Sequence, residues 1–91
     1  EEVAAGHPQV REVAVFGAPD PEWGERPVAA LVLRDGADAG VEALRDWINA
    51  RLAARYQRVR EVVVLDALPR NIAGKTLKRE LRERYLAARA G

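Results

Sequence analysis

Cysteine is absent from this 91-residue chain, and histidine occurs once, at His7. A chain without thiols has no disulfide and no thiolate metal site, which agrees with a reducing, cytoplasmic setting. His7 has no second histidine or carboxylate in a ligand-like spacing, so we assign it to a loop and predict no metal site. The apolar runs are too short to cross a bilayer, and the chain opens without a signal-peptide pattern. We therefore expect a cytoplasmic domain with no membrane span.

The chain also lacks a large net charge of either sign. The chain carries 15 Lys or Arg and 14 Asp or Glu, a formal net charge of +1. This balance gives no generally basic surface for nucleic acid. The length suits one small domain, which we expect to be monomeric. Residues 1–6 have the pattern of a helix end that stops at Gly6 but lacks an N-terminal cap, so we expect residues 1–91 to be one domain of a longer polypeptide.

Apolar periodicity and turn residues predict the strands and helices. The predicted elements after the helix end are a strand at Val10–Phe16, a loop at Ala18–Glu25, a strand at Pro27–Leu33, a helix at Val41–Arg55, a connector at Tyr56–Arg60, a strand at Glu61–Leu65 and a helix at about Thr76–Arg89. This order favours an α+β fold, a small two-layer domain in which a three-stranded sheet packs with about three helices.

The first two strands are expected to pair as an antiparallel hairpin, and the helix after them to cross the sheet before the third strand. All three strands are apolar on both faces. The second face of the sheet is therefore covered either by the N-terminal helix end together with the final helix, or by a partner.

The segment Leu68–Leu81 has the clearest functional pattern. Pro69 ends an apolar run, and Gly74 can adopt backbone angles that are closed to other residues. Lys75 follows where this loose loop meets the final helix, so its cation can reach another molecule. Gly74-Lys75-Thr76 matches the end of a phosphate-binding P-loop, but that motif requires glycine at the position of Pro69, and we exclude it.

Trp23 is conspicuous because it lies in a polar loop. A large aromatic side chain in such a loop either pins the loop or contacts a ligand, and both interpretations stay open. Trp47 differs, because it lies on the apolar face of a predicted helix and is expected in the core.

Three segments together resemble the C-terminal domain of the adenylate-forming superfamily, which includes acyl-CoA synthetases and peptide-synthetase adenylation domains. They span essentially the whole chain in the family's order. The segments are His7-Pro8-Gln9-Val10 with Glu12-Val13-Ala14-Val15, Pro19-Asp20-Pro21-Glu22-Trp23-Gly24-Glu25, and Leu68-Pro69-Arg70-Asn71 with Gly74-Lys75. The ending from Gly74 to Leu81 is similar to that of acyl-CoA synthetases.

The resemblance implies a domain of a carboxylate–CoA ligase of the kind found in fatty acid metabolism. In such enzymes a carboxylate and ATP give an acyl-adenylate, and the thiol of coenzyme A (CoA) then displaces AMP. The small domain alternates between two orientations on a large N-terminal adenylation domain, which binds most of the ATP, the Mg²⁺ and the small-molecule carboxylate. That large domain is absent from residues 1–91.

The resemblance also assigns roles to four residues. Lys75 is implied to be the catalytic lysine of adenylation, and Lys75 and Gly74 to contact ATP or the adenylate. Trp23 and Gly24 are implied to contact CoA. Lys75 is further implied to be a target of reversible acetylation. The segment Tyr56-Gln57-Arg58-Val59 departs from the family's Tyr-Lys-x-Pro, which removes the usual basis for a thiol-step contact there.

Two other functions stay open. An adenylation domain of the same superfamily would load a carrier protein instead of CoA. A stand-alone module would bind nucleic acid or an acidic partner through the basic residues of its last helix, but Glu80 and Glu83 interrupt that face. The i,i+4 pair Glu80–Arg84 is typical of a solvated helix.

Residues 1–91 by themselves are expected to show no carboxylate-dependent ATP–pyrophosphate exchange, because Lys75 is the one catalytic group that the resemblance assigns to them. The purified chain, incubated with ATP, labelled pyrophosphate and a panel of carboxylates, provides the measurement. Exchange above background would mean that the chain holds a complete adenylation site and would contradict this assignment.

Overall fold

The computed structural model describes residues 1–52 and 58–90, and within them it shows a three-stranded sheet with three helices. The elements are α1 Glu2–Ala5, β1 Val10–Asp20, β2 Gly24–Leu33, α2 Val41–Ala50, β3 Glu61–Val64 and α3 Lys78–Ala90. In the sheet order β1-β2-β3, the first pair is antiparallel and the second parallel. The predicted α+β class, the hairpin and the crossover helix are confirmed.

The β1–β2 hairpin is longer than the sequence predicts. Its pairing runs from Val10 opposite Leu33 to Asp20 opposite Gly24. The predicted loop at 18–25 is therefore wrong at both ends, and only residues 21–23 form the turn. Pro19 does not interrupt β1, because β1 is an edge strand and an outward-facing position there needs no N–H for pairing.

The central strand β2 is buried on both faces from Val28 to Val32. Its side chains alternate between two apolar clusters, as expected for a strand of period two. The first cluster comprises Ala14, Phe16, Ala18, Val28, Ala30, Val32, Leu68, Leu81 and Tyr85. The second comprises Ala4, Val10, Ala29, Leu31, Leu44, Ile48, Val59 and Val62.

The helices therefore lie on both faces of the sheet, so the α+β domain has three layers and not the predicted two. α3 packs on the first cluster, whereas α1 and α2 pack on the second. The final helix thus covers the second face, as one alternative predicted, but the N-terminal helix lies beside α2 and not beside α3. Trp47 of α2 is half-buried against the second cluster, and its ring meets that of the loop residue His7 edge-on at 4.7 Å between centroids.

Two helix ends differ from their predicted positions. α2 ends at Ala50 with Arg51 as its C-cap, five residues before the predicted end at Arg55. α3 begins at Lys78, because Thr76 instead pairs with Arg70 in an isolated β-bridge. The predicted helix residues 53–55 and the first part of the connector, Tyr56-Gln57, lie outside the described residues.

Charged side chains cover the open edge of β1. The Glu1 carboxylate accepts a hydrogen bond from the Val15 N–H at 2.8 Å, and Arg82 donates to the Gly17 carbonyl at 2.9 Å. Glu1 also pairs with Lys78 at 2.6 Å, and the hydrogen bonds from Lys78 and Val15 lower the pKa of its carboxyl below the ordinary value. Two backbone groups that could pair with a foreign strand are thereby satisfied. No helix in the described part of the chain has the length and apolarity to cross a bilayer.

Leu31→Ala is expected to lower the free energy of unfolding by about 2–5 kcal/mol, because it leaves a cavity where a fully buried side chain of β2 had packed. Ile72→Ala is the matched control, since Ile72 is fully exposed, and it should change the free energy by less than about 0.5 kcal/mol. Urea denaturation followed by circular dichroism measures both. Equal destabilisation by the two variants would contradict the burial of β2 between the helices.

Candidate functional site

Lys75 lies in a small hairpin between β3 and α3, which we call the lysine hairpin (residues 70–76). Arg70 and Thr76 pair across its base. The Asn71 N–H donates to the Lys75 carbonyl at 3.0 Å, and the Gly74 N–H donates to the Asn71 carbonyl at 2.9 Å. These are the contacts of a three-residue hairpin loop that ends in a left-handed residue, and Gly74 fills that position with φ of 85°. The loose loop predicted from the sequence is therefore an ordered turn.

Two side chains brace the lysine hairpin. The Asn71 side-chain oxygen accepts a hydrogen bond from the Lys75 N–H at 2.9 Å, and Arg70 donates to the Gly74 carbonyl at 2.8 Å. A second N–H of Arg70 forms an ion pair with Glu12 on β1. Sequence reasoning missed this pair, because its members are 58 residues apart and neither position carries a signal of its partner. The Asn71-to-Gly74 spacing, by contrast, is a turn signal that could have predicted the ordered loop.

The lysine hairpin stands on a buried base. Leu68 belongs to the first cluster, and the Leu77 N–H donates to the carbonyl of buried Pro69 at 2.8 Å. Ile72 and Lys75 are exposed beyond this base. Within residues 1–52 and 58–90 Lys75 takes part in no ion pair, whereas nearby Lys78 is paired with Glu1. The Lys75 ammonium group is thus available to another molecule.

Trp23 lies at the tip of the β1–β2 hairpin with 67% of its surface exposed. The turn is held by Asp20, whose carboxylate oxygen accepts hydrogen bonds from the N–H groups of Trp23 and Glu22, both at 2.9 Å. These bonds lower the pKa of the Asp20 carboxyl below its ordinary value. Gly24 completes the turn with φ of 81°. The hydrogen bonds that hold this turn come from Asp20, and the indole is mostly exposed, so contact of Trp23 with a ligand stays a prediction.

Tyr85 ties the base of this turn to the rest of the domain. Its hydroxyl donates to Glu61 of β3 at 2.6 Å and accepts from Arg26 of β2 at 2.7 Å. Arg26 also donates to the Pro19 carbonyl at 2.7 Å. Apolar periodicity in the final helix indicates that the ring of Tyr85 is buried, but it carries no information about the partners of the hydroxyl.

The structure does not bring Lys75 and Trp23 together. Arg70 attaches the lysine hairpin to Glu12, near the start of β1, whereas Trp23 follows the last residue of that strand, Asp20. The eight residues from Glu12 to Asp20 extend for about 25 Å at the usual rise of a β-strand. This is most of the largest dimension of the molecule, 34 Å. The domain therefore presents two separate candidate surfaces at opposite ends of one sheet.

The basic residues of α3 have acidic or backbone partners. Arg79 pairs with Glu83 and Arg84 with Glu80 along the helix, and Arg89 pairs with Glu61 on β3. These pairs neutralise the positive charge that a protein surface would need in order to bind nucleic acid. In the described part of the chain, no group of three or more His, Asp or Glu side chains is placed to hold a metal ion.

Comparisons with known proteins agree on one family. The model of the AMP-binding enzyme C-terminal domain matches residues 1–75. A 4-coumarate–CoA ligase-like protein of Oryza sativa subsp. japonica is 44% identical over 86 residues, which are 94% of this chain and 15% of that protein.

Solved structures superpose closely. A fatty acyl CoA synthetase of Mycobacterium tuberculosis has a TM-score of 0.85 at 41% identity, over 97% of this chain and 17% of that one. An amide bond synthetase of Marinactinospora thermotolerans has a TM-score of 0.85 at 39% identity, over 93% of this chain and 17% of that one. The chain thus spans between 15% and 17% of the length of these relatives.

The family match includes both candidate surfaces, since it runs through the turn at Trp23 and ends at Lys75. The superpositions cover 93% to 97% of this chain on much larger proteins. The chain belongs to the AMP-binding enzyme C-terminal domain family, the small domain of the adenylate-forming superfamily.

Proposed function

We propose that this chain is the mobile C-terminal domain of an ATP-dependent carboxylate–CoA ligase, in which it supplies Lys75 to the adenylation step. The observation that carries the proposal is an exposed lysine, without an ion pair in the described structure, on a braced turn at one end of the domain. A large N-terminal domain of the same polypeptide would bind the carboxylate, Mg²⁺ and most of ATP. The relatives, about six times longer than this chain, support that division.

The chemistry of adenylation accounts for a lysine at this position. A carboxylate oxygen attacks the α-phosphorus of ATP, and the bond to the leaving pyrophosphate breaks. Negative charge then gathers on the phosphoryl and leaving-group oxygens. An ammonium group held among them stabilises the transition state more than the ground state, which lowers the barrier. Gly74 allows the tight turn that projects Lys75, and its lack of a side chain leaves room for the nucleotide.

The opposite surface suits the second step, in which a thiol attacks the acyl carbon and AMP leaves. The exposed indole of Trp23 offers an aromatic face to the adenine of CoA, and Gly24 leaves the adjacent backbone open. Because Lys75 and Trp23 lie at opposite ends of the sheet, one orientation of the domain cannot place both at the same reacting group. This separation supports an alternation between two orientations.

This domain does not determine which carboxylic acid is activated or which molecule accepts the acyl group. The similar proteins include a 4-coumarate–CoA ligase-like protein, a fatty acyl CoA synthetase and an amide bond synthetase, so their names differ in both respects. CoA is proposed as the acceptor because it is named in the first two. The cytoplasmic location and the monomeric state stay predictions.

Lys75 also stays a predicted target of acetylation. Acetylation would remove the charge on which the proposed role depends. Lys78, three residues on, has its ammonium group occupied by Glu1, so the two lysines offer different access to a modifying enzyme.

In the complete ligase, Lys75→Ala is expected to slow ATP–pyrophosphate exchange by roughly 10²–10³-fold, by analogy with the loss of one charge-stabilising donor. Thioester formation from synthetic acyl-adenylate should change little, because Lys75 contacts only the first transition state. Lys78→Ala is the matched control and should leave both half-reactions near their original rates. Equal slowing of the two half-reactions by Lys75→Ala would contradict the proposed role.

Trp23→Ala is expected to have the reciprocal effect. Loss of one aromatic–base stack should raise the KM for CoA by about tenfold while pyrophosphate exchange is retained. The two assays of the preceding experiment provide the measurement, and Trp23→Phe, which keeps an aromatic face, should recover most of the loss. An unchanged KM for CoA in Trp23→Ala would remove this residue from the thiol site.

A further inference from the structure

The lysine hairpin has few attachments to the sheet. Among the hydrogen bonds and ion pairs in residues 1–52 and 58–90, the one that joins a side chain of the lysine hairpin to a strand is the pair between Arg70 and Glu12. The backbone bond from Leu77 to Pro69 closes its base, but that bond lies between the two segments that enter and leave the turn. The base alone would therefore allow the whole turn to tilt relative to β1.

One guanidinium group joins the turn to the sheet. Arg70 Nη1 donates to the carbonyl of Gly74, the residue immediately before Lys75, and Nη2 donates to Glu12 Oε1. The planar fork of arginine presents both N–H groups in a fixed relation, whereas lysine has a single ammonium group on a flexible stem. The peptide that carries Lys75 is thus connected through one rigid group to an edge strand that itself pairs along its length with β2.

The contact is half-exposed, which distinguishes it from a core interaction. The side chains of Arg70 and Glu12 retain 40% and 26% of their accessible surface. Exposed ion pairs contribute little to global stability. The same ion pair can still have a large effect on the reaction rate, because a small displacement of a catalytic group slows the reaction sharply.

We propose that Arg70 and Glu12 are positioning residues for Lys75. They hold the lysine hairpin at one angle to the sheet, through the Gly74 carbonyl, before the domain meets the nucleotide. The inference rests on the proposed role of Lys75 in adenylation. The position of the Lys75 ammonium group is then set by the sheet of the small domain itself. When the domain binds in the adenylation orientation, the lysine is already in place.

The test uses Arg70→Gln, Glu12→Gln and the double variant in the complete ligase, with Lys75→Ala alongside. Each single variant is expected to lower kcat of pyrophosphate exchange by about five- to tenfold through misplacement of Lys75. The KM for ATP and the rate of thioester formation from synthetic acyl-adenylate should stay within about twofold, because neither depends on the angle of this turn. The double variant should be no slower than Arg70→Gln, since the two residues act through one contact.

Two further variants separate positioning from charge and from stability. Arg70→Lys keeps the charge but not the fork, and it should recover only part of the lost exchange rate. Arg84→Gln breaks a comparable ion pair with Glu80 on α3, away from the lysine hairpin, and should leave exchange unchanged. Thermal unfolding of each variant should match that of the original enzyme within a few degrees.

Normal exchange in both Arg70→Gln and Glu12→Gln, with exchange lost in Lys75→Ala, would overturn the positioning role and leave the proposed function intact. Equal slowing of both half-reactions together with a lowered unfolding temperature would also overturn it, because that result indicates a structural contact. Normal exchange in Lys75→Ala would instead overturn the proposed function, and the positioning role with it.

Discussion

The burial of β2 on both faces is the constraint on which the rest of the structure depends. From Val28 to Val32 its residues have at most 2% of their surface exposed. A strand in this setting requires apolar side chains at successive positions and covering helices on each side. A polar group placed in either cluster would lose its hydrogen bonds to water. Groups that carry chemistry are therefore confined to the ends of the sheet, where the turns emerge.

Both candidate functional turns are attached to the same edge strand. The lysine hairpin is joined to β1 near its start by Arg70 and Glu12, and the turn at Trp23 is held by Asp20 at the end of that strand. Because β1 pairs with β2 continuously from Glu12 to Asp20, the distance between the turns is set by a stiff element. Under the proposed alternation, a rotation of the domain moves both turns together, so that one approaches a reacting centre as the other leaves it.

The charged side chains of the domain mostly have partners within it. Most cations of α3 are paired with carboxylates, and Arg82 and Glu1 instead cover backbone groups at the edge of β1. Individually these exposed contacts add at most about 1 kcal/mol each to stability. Their collective effect is to balance most of the positive charge of α3. That arrangement does not favour a broad positive field for a polyanion.

Local sequence was enough to predict the order of strands and helices, the hairpin, and the exposed position of Lys75, because these follow from apolar periodicity and turn residues a few positions apart. The predicted ends of strands and helices were wrong where a tertiary pairing overrode a local signal, as at Pro19 and Thr76. Contacts between distant residues decided the rest. The side of the sheet that α3 covers, the partners of the Tyr85 hydroxyl and the Arg70–Glu12 pair depend on strand register and chain crossing. No local pattern encodes such contacts. An arginine or a tyrosine could pair with many other residues, and only the folded sheet determines which of them lies within reach.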